Sequence, residues 1–150
     1  MSDAIHIVAI TDETGCVLDP DTLARCEGVH RQLRAQLEPD YLAHMARVFR
    51  DGARMCVGER AGAIVGVAVY RVYENTCDGL HLYVDDLVTD EQARSGGVGK
   101  ALIGHLIRLA RARGCRQFTL DSGTQRQRSH RFYFREGLII RGFHFARVLD

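Results

Sequence analysis

An α/β fold is what this sequence predicts, on three observations. Short β-branched runs alternate with amphipathic stretches, glycines punctuate their boundaries, and 150 residues are enough to enclose one buried core. Hydrophobic residues make up 46% and charged residues 26%, with 15 Gly and 2 Pro, which is globular composition rather than disorder or a repeat array. Residues 1–150 therefore read as a single domain. Twenty Lys and Arg against 19 Asp and Glu leave a net charge of +1, so no long-range field draws nucleic acid or an anionic membrane.

Residues 5–10 are a short apolar, β-branched run that Thr11-Asp12-Glu13-Thr14-Gly15 stops, a first strand and a polar turn. Asp19-Pro20 opens a helix whose apolar positions Leu23, Cys26, Val29, Leu33 and Leu37 recur every three or four residues until Pro39 ends it. Asp40 caps a second helix carrying Tyr41, Leu42, Met45, Val48 and Phe49 on one stripe and closing near Gly52. Residues 55–60 and 63–73 are β-rich and meet at Ala61-Gly62, where glycine supplies the positive φ of a tight hairpin. Residues 80–88 form the next strand. From Val98 to Arg113 the stripe Val98, Leu102, Leu106 and Leu109 opposes Lys100, Arg108 and Arg111, and Gly114 offers a left-handed cap. Residues 117–120 read as a strand, 127–136 as a helix closed by Gly137, and 138–141 and 144–149 as two final strands about Gly142. The predicted order is β-α-α-β-β-β-α-β-α-β-β.

Arg94-Ser95-Gly96-Gly97-Val98-Gly99-Lys100 lies between a strand and a helix start, where free backbone N–H groups and the helix dipole favour an anion. A P-loop would need Gly at position 94 and Ser or Thr at 101; Arg94 and Ala101 stand there. A dinucleotide fingerprint starting at Gly97 would need Gly or Ala where Leu102 stands. What remains is R-x-x-G-x-G, on Arg94, Gly97 and Gly99. It resembles the pyrophosphate signature of the GNAT N-acetyltransferase superfamily. Tyr83-Val84-Asp85-Asp86-Leu87-Val88-Thr89 resembles that family's fourth strand, and residues 126–137, R-Q-R-S-H-R-F-Y-F-R-E-G, its last motif.

The resemblance implies a mixed, mostly antiparallel central sheet flanked by helices and splayed between strands 4 and 5, where acetyl-CoA enters. It implies acetyl transfer to a primary amine by direct attack, the acceptor being a small cationic molecule or a protein lysine or N-terminus. The coenzyme would lie on Leu87, Val88 and Thr89, on Arg94, Ser95, Gly96, Gly97, Val98, Gly99 and Lys100, and against Arg126 and Ser129. Tyr133 resembles the tyrosine that returns a proton to the coenzyme A thiolate. An alkyl amine with a pKa of about 10 arrives protonated, so a base is also needed. Asp121 and Asp86 are the equal candidates, with Asp85 behind them. Asp86 shares the alternation of Leu80, Leu82, Val84 and Val88, which sets it on the inward face unless a bulge intervenes. The acceptor should meet the first two helices and the 36–40 connection between them.

The seven histidines show no metal-ligand spacing, so no metal is expected, and His130 reads as structural or at the substrate's edge rather than as the base. The five cysteines form no C-x-x-C pair and read as reduced thiols of a cytoplasmic protein. Residues 1–10 lack the basic region and long apolar core of a secretory leader. A homodimer is open. The rival from another class is a non-catalytic acyl-CoA-binding sensor; a nucleotide-binding protein is a more distant third.

Overall fold

A computed structural model describes residues 4–150; Met1, Ser2 and Asp3, which belong to the segment read as lacking a leader, lie outside them. The chain forms two compact units, residues 1–119 and 120–150.

In the first unit, β1 (His6–Ala9), β2 (Arg54–Arg60), β3 (Ala63–Asn75) and β4 (Gly79–Thr89) pair antiparallel in sequence order. The sheet ends on β5 (Gln117–Leu120), parallel to β4; the Arg116 N–H donates to Leu80 O at 2.7 Å and fastens the start of β5 to the start of β4. The β2–β3 turn is the expected one, with Ala61 at φ 50° and Gly62 at φ 79°.

The helix expected from Asp19-Pro20 is in fact two, α1 (Pro20–Arg25) and α2 (Glu27–Leu33). At fully buried Cys26 the backbone N–H reaches back to Leu23 O, three residues rather than four, and the tightened turn ends the first helix. Helix α3 (Tyr41–Arg50) begins where Asp40 accepts from the Ala43 N–H at 3.0 Å. Helix α4 (Val98–Ala112) buries Val98, Leu102, Ile103, Leu106 and Ala110.

The pleat sorts β2 and β3 between two helical layers. Met55, Val57, Val67 and Val69 join the core with Leu23, Val29, Tyr41, Met45 and Phe49 of the first three helices. Gly58 and Gly66, on the alternate positions, face Val98 of α4. A Cβ on Gly66 would sit 2.5 Å from Val98 Cγ1, so the missing side chain lets α4 lie directly on the sheet.

The second unit contains α5 (Gln127–Arg135), with Glu136 as its C-cap and Gly137 at φ 86°. The two final strands expected at 138–141 and 144–149 are absent: residues 138–150 carry no helix or strand. Alternating apolar residues give a segment the preference for a strand, but a strand exists only when an edge pairs with it.

Candidate functional site

Pairing along β3 and β4 shifts register once, with Val69 opposite Asp86 and Tyr70 opposite Val84. Asp85 is the extra residue of a β-bulge. In a regular strand neighbouring carboxylates would point to opposite faces; the bulge turns Asp85 and Asp86 toward the same cavity. That cavity measures about 390 Å³, and its wall includes His30, Arg34, Met45, Val48, Val69, Arg71 and Tyr83. All of its residues belong to the first unit. They include Gln36 and Leu37, part of the connection expected to meet an acceptor.

Asp86 is held on both oxygens. Its Oδ2 lies 2.7 Å from His30 Nε2, and its Oδ1 accepts from Arg34 Nε at 2.7 Å. Burial pushes the carboxyl up, but the His30 hydrogen bond and the Arg34 charge outweigh it and hold Asp86 below the ordinary carboxylate range. His30 is 1% exposed, and its Nδ1 lies 2.9 Å from the Tyr41 hydroxyl. Burial pushes the Tyr41 phenol up, so it keeps its proton. One arrangement of protons satisfies every member: Nε2–H donating to Asp86 and Nδ1 accepting from the Tyr41 hydroxyl.

Asp85 differs. Arg71 Nε donates to it at 2.9 Å, yet burial outweighs that bond and raises its affinity for a proton. Two adjacent carboxylates on one wall thus have their proton affinities driven apart.

The glycine turn stands at the other end of β4. After the short 3₁₀ turn Glu91–Ala93, Ser95 takes φ 64° and Gly97 φ 81°, and Val98 starts α4. The first N–H groups of that 15-residue helix have no acceptor inside it. A Cβ at Gly97 would meet nothing within 4 Å, so the turn is open where a ligand would approach. On its other side Arg60 Nη2 donates to Gly96 O at 2.6 Å, and a Cβ on Gly96 would come within 2.9 Å of that guanidinium and require it to shift. Arg94, Ser95, Gly96, Gly97 and Lys100 are exposed; Leu87, Val88, Thr89 and Gly99 are half-buried, and Val98 is buried. An open left-handed glycine, unspent N–H donors and flanking cations suit a pyrophosphate.

In the second unit Arg126 precedes α5 and is exposed, while Ser129 and Tyr133 on the helix are half-buried. Burial raises the Tyr133 phenol above its ordinary value, against the nearby Arg126 charge, so the hydroxyl carries a proton at neutral pH. Phe132 and Tyr133 stand with ring centroids 5.5 Å apart. Asp121 is half-exposed, with His144 Nδ1 3.5 Å from its Oδ2. His130 Nε2 lies 2.8 Å from Gly123 O and ties the helix to the preceding loop.

Sequence reasoning passed over His30, Tyr41, Arg34 and Arg71 as site residues. His30 and Asp86 are 56 residues apart, and no local pattern joins them. The one available signal was a histidine on the buried stripe of a helix beside an inward-facing aspartate.

The five-stranded sheet, the bulge in β4 and the glycine turn before α4 have the layout of an acetyltransferase fold. The chain belongs to the acetyltransferase (GNAT) family, whose model matches residues 22–137 and whose members use acetyl-CoA. A Bacillus subtilis protein described as an uncharacterized N-acetyltransferase is 39% identical over 72 residues, 48% of this chain and 46% of that protein. The chain thus matches about half the length of that relative. The thialysine N-epsilon-acetyltransferase of Mus musculus is 25% identical across 63% of this chain and 67% of that protein. An aminoglycoside N-acetyltransferase solved with CoA superposes with a TM-score of 0.81 at 20% identity, covering 99% of this chain and 97% of that one, which is a likeness of fold.

Proposed function

We propose that the protein, as a single GNAT-type domain over residues 1–150, transfers the acetyl group of acetyl-CoA to a primary amine of a small cationic acceptor. A protein lysine or N-terminal amine is the alternative acceptor. The observation that carries this reading is the pair Asp85 and Asp86 on one wall of a cavity about 390 Å³ in volume. Asp86, kept ionised by His30 and Arg34, attracts the ammonium group; Asp85, whose proton affinity burial raises, is the better acceptor of its proton. This ranking departs from the sequence, which favoured Asp86 and Asp121. Asp121, half-exposed beside His144, holds the lesser claim.

Acetyl-CoA supplies an activated thioester carbonyl. The N–H groups at Gly97, Val98, Gly99 and Lys100 take its pyrophosphate, with Arg94 and Ser95 alongside and Gly96 shaping the turn. Leu87, Val88 and Thr89 hold the pantetheine where β4 and β5 splay, and a backbone N–H there steadies the developing oxyanion. Arg126 and Ser129 flank the coenzyme. Tyr133 gives its phenolic proton to the departing sulfur as the amine nitrogen bonds to the acetyl carbon. The named activities of the relatives, on thialysine and on aminoglycosides, support an amine-bearing small molecule. The protein works in the cytoplasm without nucleic acid or membrane. No described helix is long and apolar enough to cross a membrane.

The test is a panel of aminoglycosides, diamines and lysine analogues, each incubated with acetyl-CoA while free thiol is recorded. Amine-dependent thiol release is expected. Tight acetyl-CoA binding without release for any amine refutes the enzyme reading in favour of the sensor.

A further inference from the structure

The N–H donors of the glycine turn are aimed in two different ways. Those of Val98, Gly99 and Lys100 take their direction from α4 itself, whose first bond runs from the Ala101 N–H to Gly97 O at 3.0 Å. The Gly97 N–H lies outside the helix, in the peptide plane it shares with the Gly96 carbonyl. No peptide among the described residues is cis, so in that plane the C=O and the N–H point opposite ways. Whatever holds Gly96 O therefore aims the Gly97 N–H.

Arg60, the last residue of β2, holds it: Nη2 donates to Gly96 O at 2.6 Å across 36 residues of sequence. Two observations mark this contact as more than incidental packing. Gly96 is not one of the glycines at positive φ, so its backbone does not demand glycine; a Cβ there would lie 2.9 Å from both Nη atoms, and the missing side chain is what admits the guanidinium. Arg60 Nε, moreover, is buried and has no hydrogen-bond partner among the described residues. A buried donor left unmade is costly, so the guanidinium sits against Gly96 O despite that loss. The neighbouring Ser95, at φ 64°, is left-handed although it carries a side chain, a conformation that persists where its surroundings over-determine it.

We propose that Arg60 is a positioning residue for the coenzyme: by gripping Gly96 O it aims the Gly97 N–H at the pyrophosphate before the coenzyme arrives. The proposal rests on the acetyl-CoA seat proposed above and adds to it a residue from the far end of β2.

The test is an amide NMR titration of the full chain with acetyl-CoA and with acetyl-pantetheine, which keeps the thioester and lacks the pyrophosphate. Arg60→Met removes the donor and keeps most of the stem; Gly96→Ala keeps the charge and pushes the guanidinium off the carbonyl. Each is expected to weaken acetyl-CoA binding at least about tenfold, to leave acetyl-pantetheine within about twofold of the parent, and to add nothing when combined with the other. Acetyl-CoA affinity unchanged in Arg60→Met, or equal losses on both ligands, overturns the proposal: the first means that the turn holds itself, the second that the fold at large has suffered. Losses that multiply in the double variant mean that Arg60 acts by its charge and not through Gly96, and overturn it as well. If Arg60→Met does not fold, Gly96→Ala decides on the same two ligands. A parent that binds acetyl-CoA without shifting the amides of residues 97–100, or does not bind it, refutes the seat itself and the proposal with it, a result read on the parent alone and so distinct from the others.

Discussion

Replacing Asp86 separates the shape of the His30–Asp86–Arg34 network from its charge. In Asp86→Asn the new amide oxygen can accept from Arg34 Nε, and the new NH₂ can donate to His30 Nε2 if the imidazole moves its proton to Nδ1. Nδ1–H then donates to the Tyr41 oxygen, because a phenol accepts as well as donates. The guanidinium, the amide and the imidazole keep partners, but the buried Tyr41 O–H loses the acceptor it had in Nδ1, and charge assistance worth about 1 kcal/mol is lost on each of two bonds. Arg34 is 39% exposed, so water recovers part of that loss, and the net cost is about 2–3 kcal/mol. For 150 residues this lowers Tm by about 4–12 °C. Asp86→Ala leaves a buried imidazole and a guanidinium without their acceptor and costs about 3–4 kcal/mol.

The pH dependence has a definite sign. Asp86 is held below its ordinary pKa, so its stabilisation is present above about pH 3.9 and is lost as pH falls through the folded value. The difference in stability between parent and Asp86→Asn therefore closes in acid. Thermal melts of the parent and both variants from pH 3 to 8 measure all of this. If Asp86→Ala is no less stable than Asp86→Asn, or if the parent's advantage is as large at pH 3 as at pH 7, the network does not work as described.

Asp85→Asn should lower kcat by about 10²-fold or more and remove an acid limb lying above the ordinary carboxylate range, because burial raises that group; a pH–rate profile with a verified amine measures it. A raised KM with unchanged kcat would instead make Asp85 an anchor for the acceptor. Tyr133→Phe should keep coenzyme affinity while slowing turnover about 10²- to 10⁴-fold; an unchanged rate at saturating acetyl-CoA assigns the ring to packing. Gly97→Asp places a carboxylate, at φ 81°, where the helix start faces open space, and should weaken acetyl-CoA binding at least tenfold by calorimetry. Binding as tight as the parent's moves the pyrophosphate elsewhere.

Much of this protein is written in local sequence. The stripe from Val98 with Gly114 beyond it, the Asp40 cap, the Ala61-Gly62 hairpin and the glycine turn depend on neighbours within a few residues, so their chemistry can be read along the chain. The break at Cys26 escaped that reading, because the apolar spacing runs through it while the hydrogen bonds do not. So did the fate of residues 138–149, whose alternation states a preference that only a pairing edge can satisfy. At the candidate site, sequence alone determined that an aspartate pair stands on a strand just before a glycine turn. Tertiary structure decided the rest: a one-residue slip against β3 turned both carboxylates into one cavity, and α2 brought His30 and Arg34 against Asp86. Register and long-range contact are properties of two segments at once, and neither segment carries the information by itself.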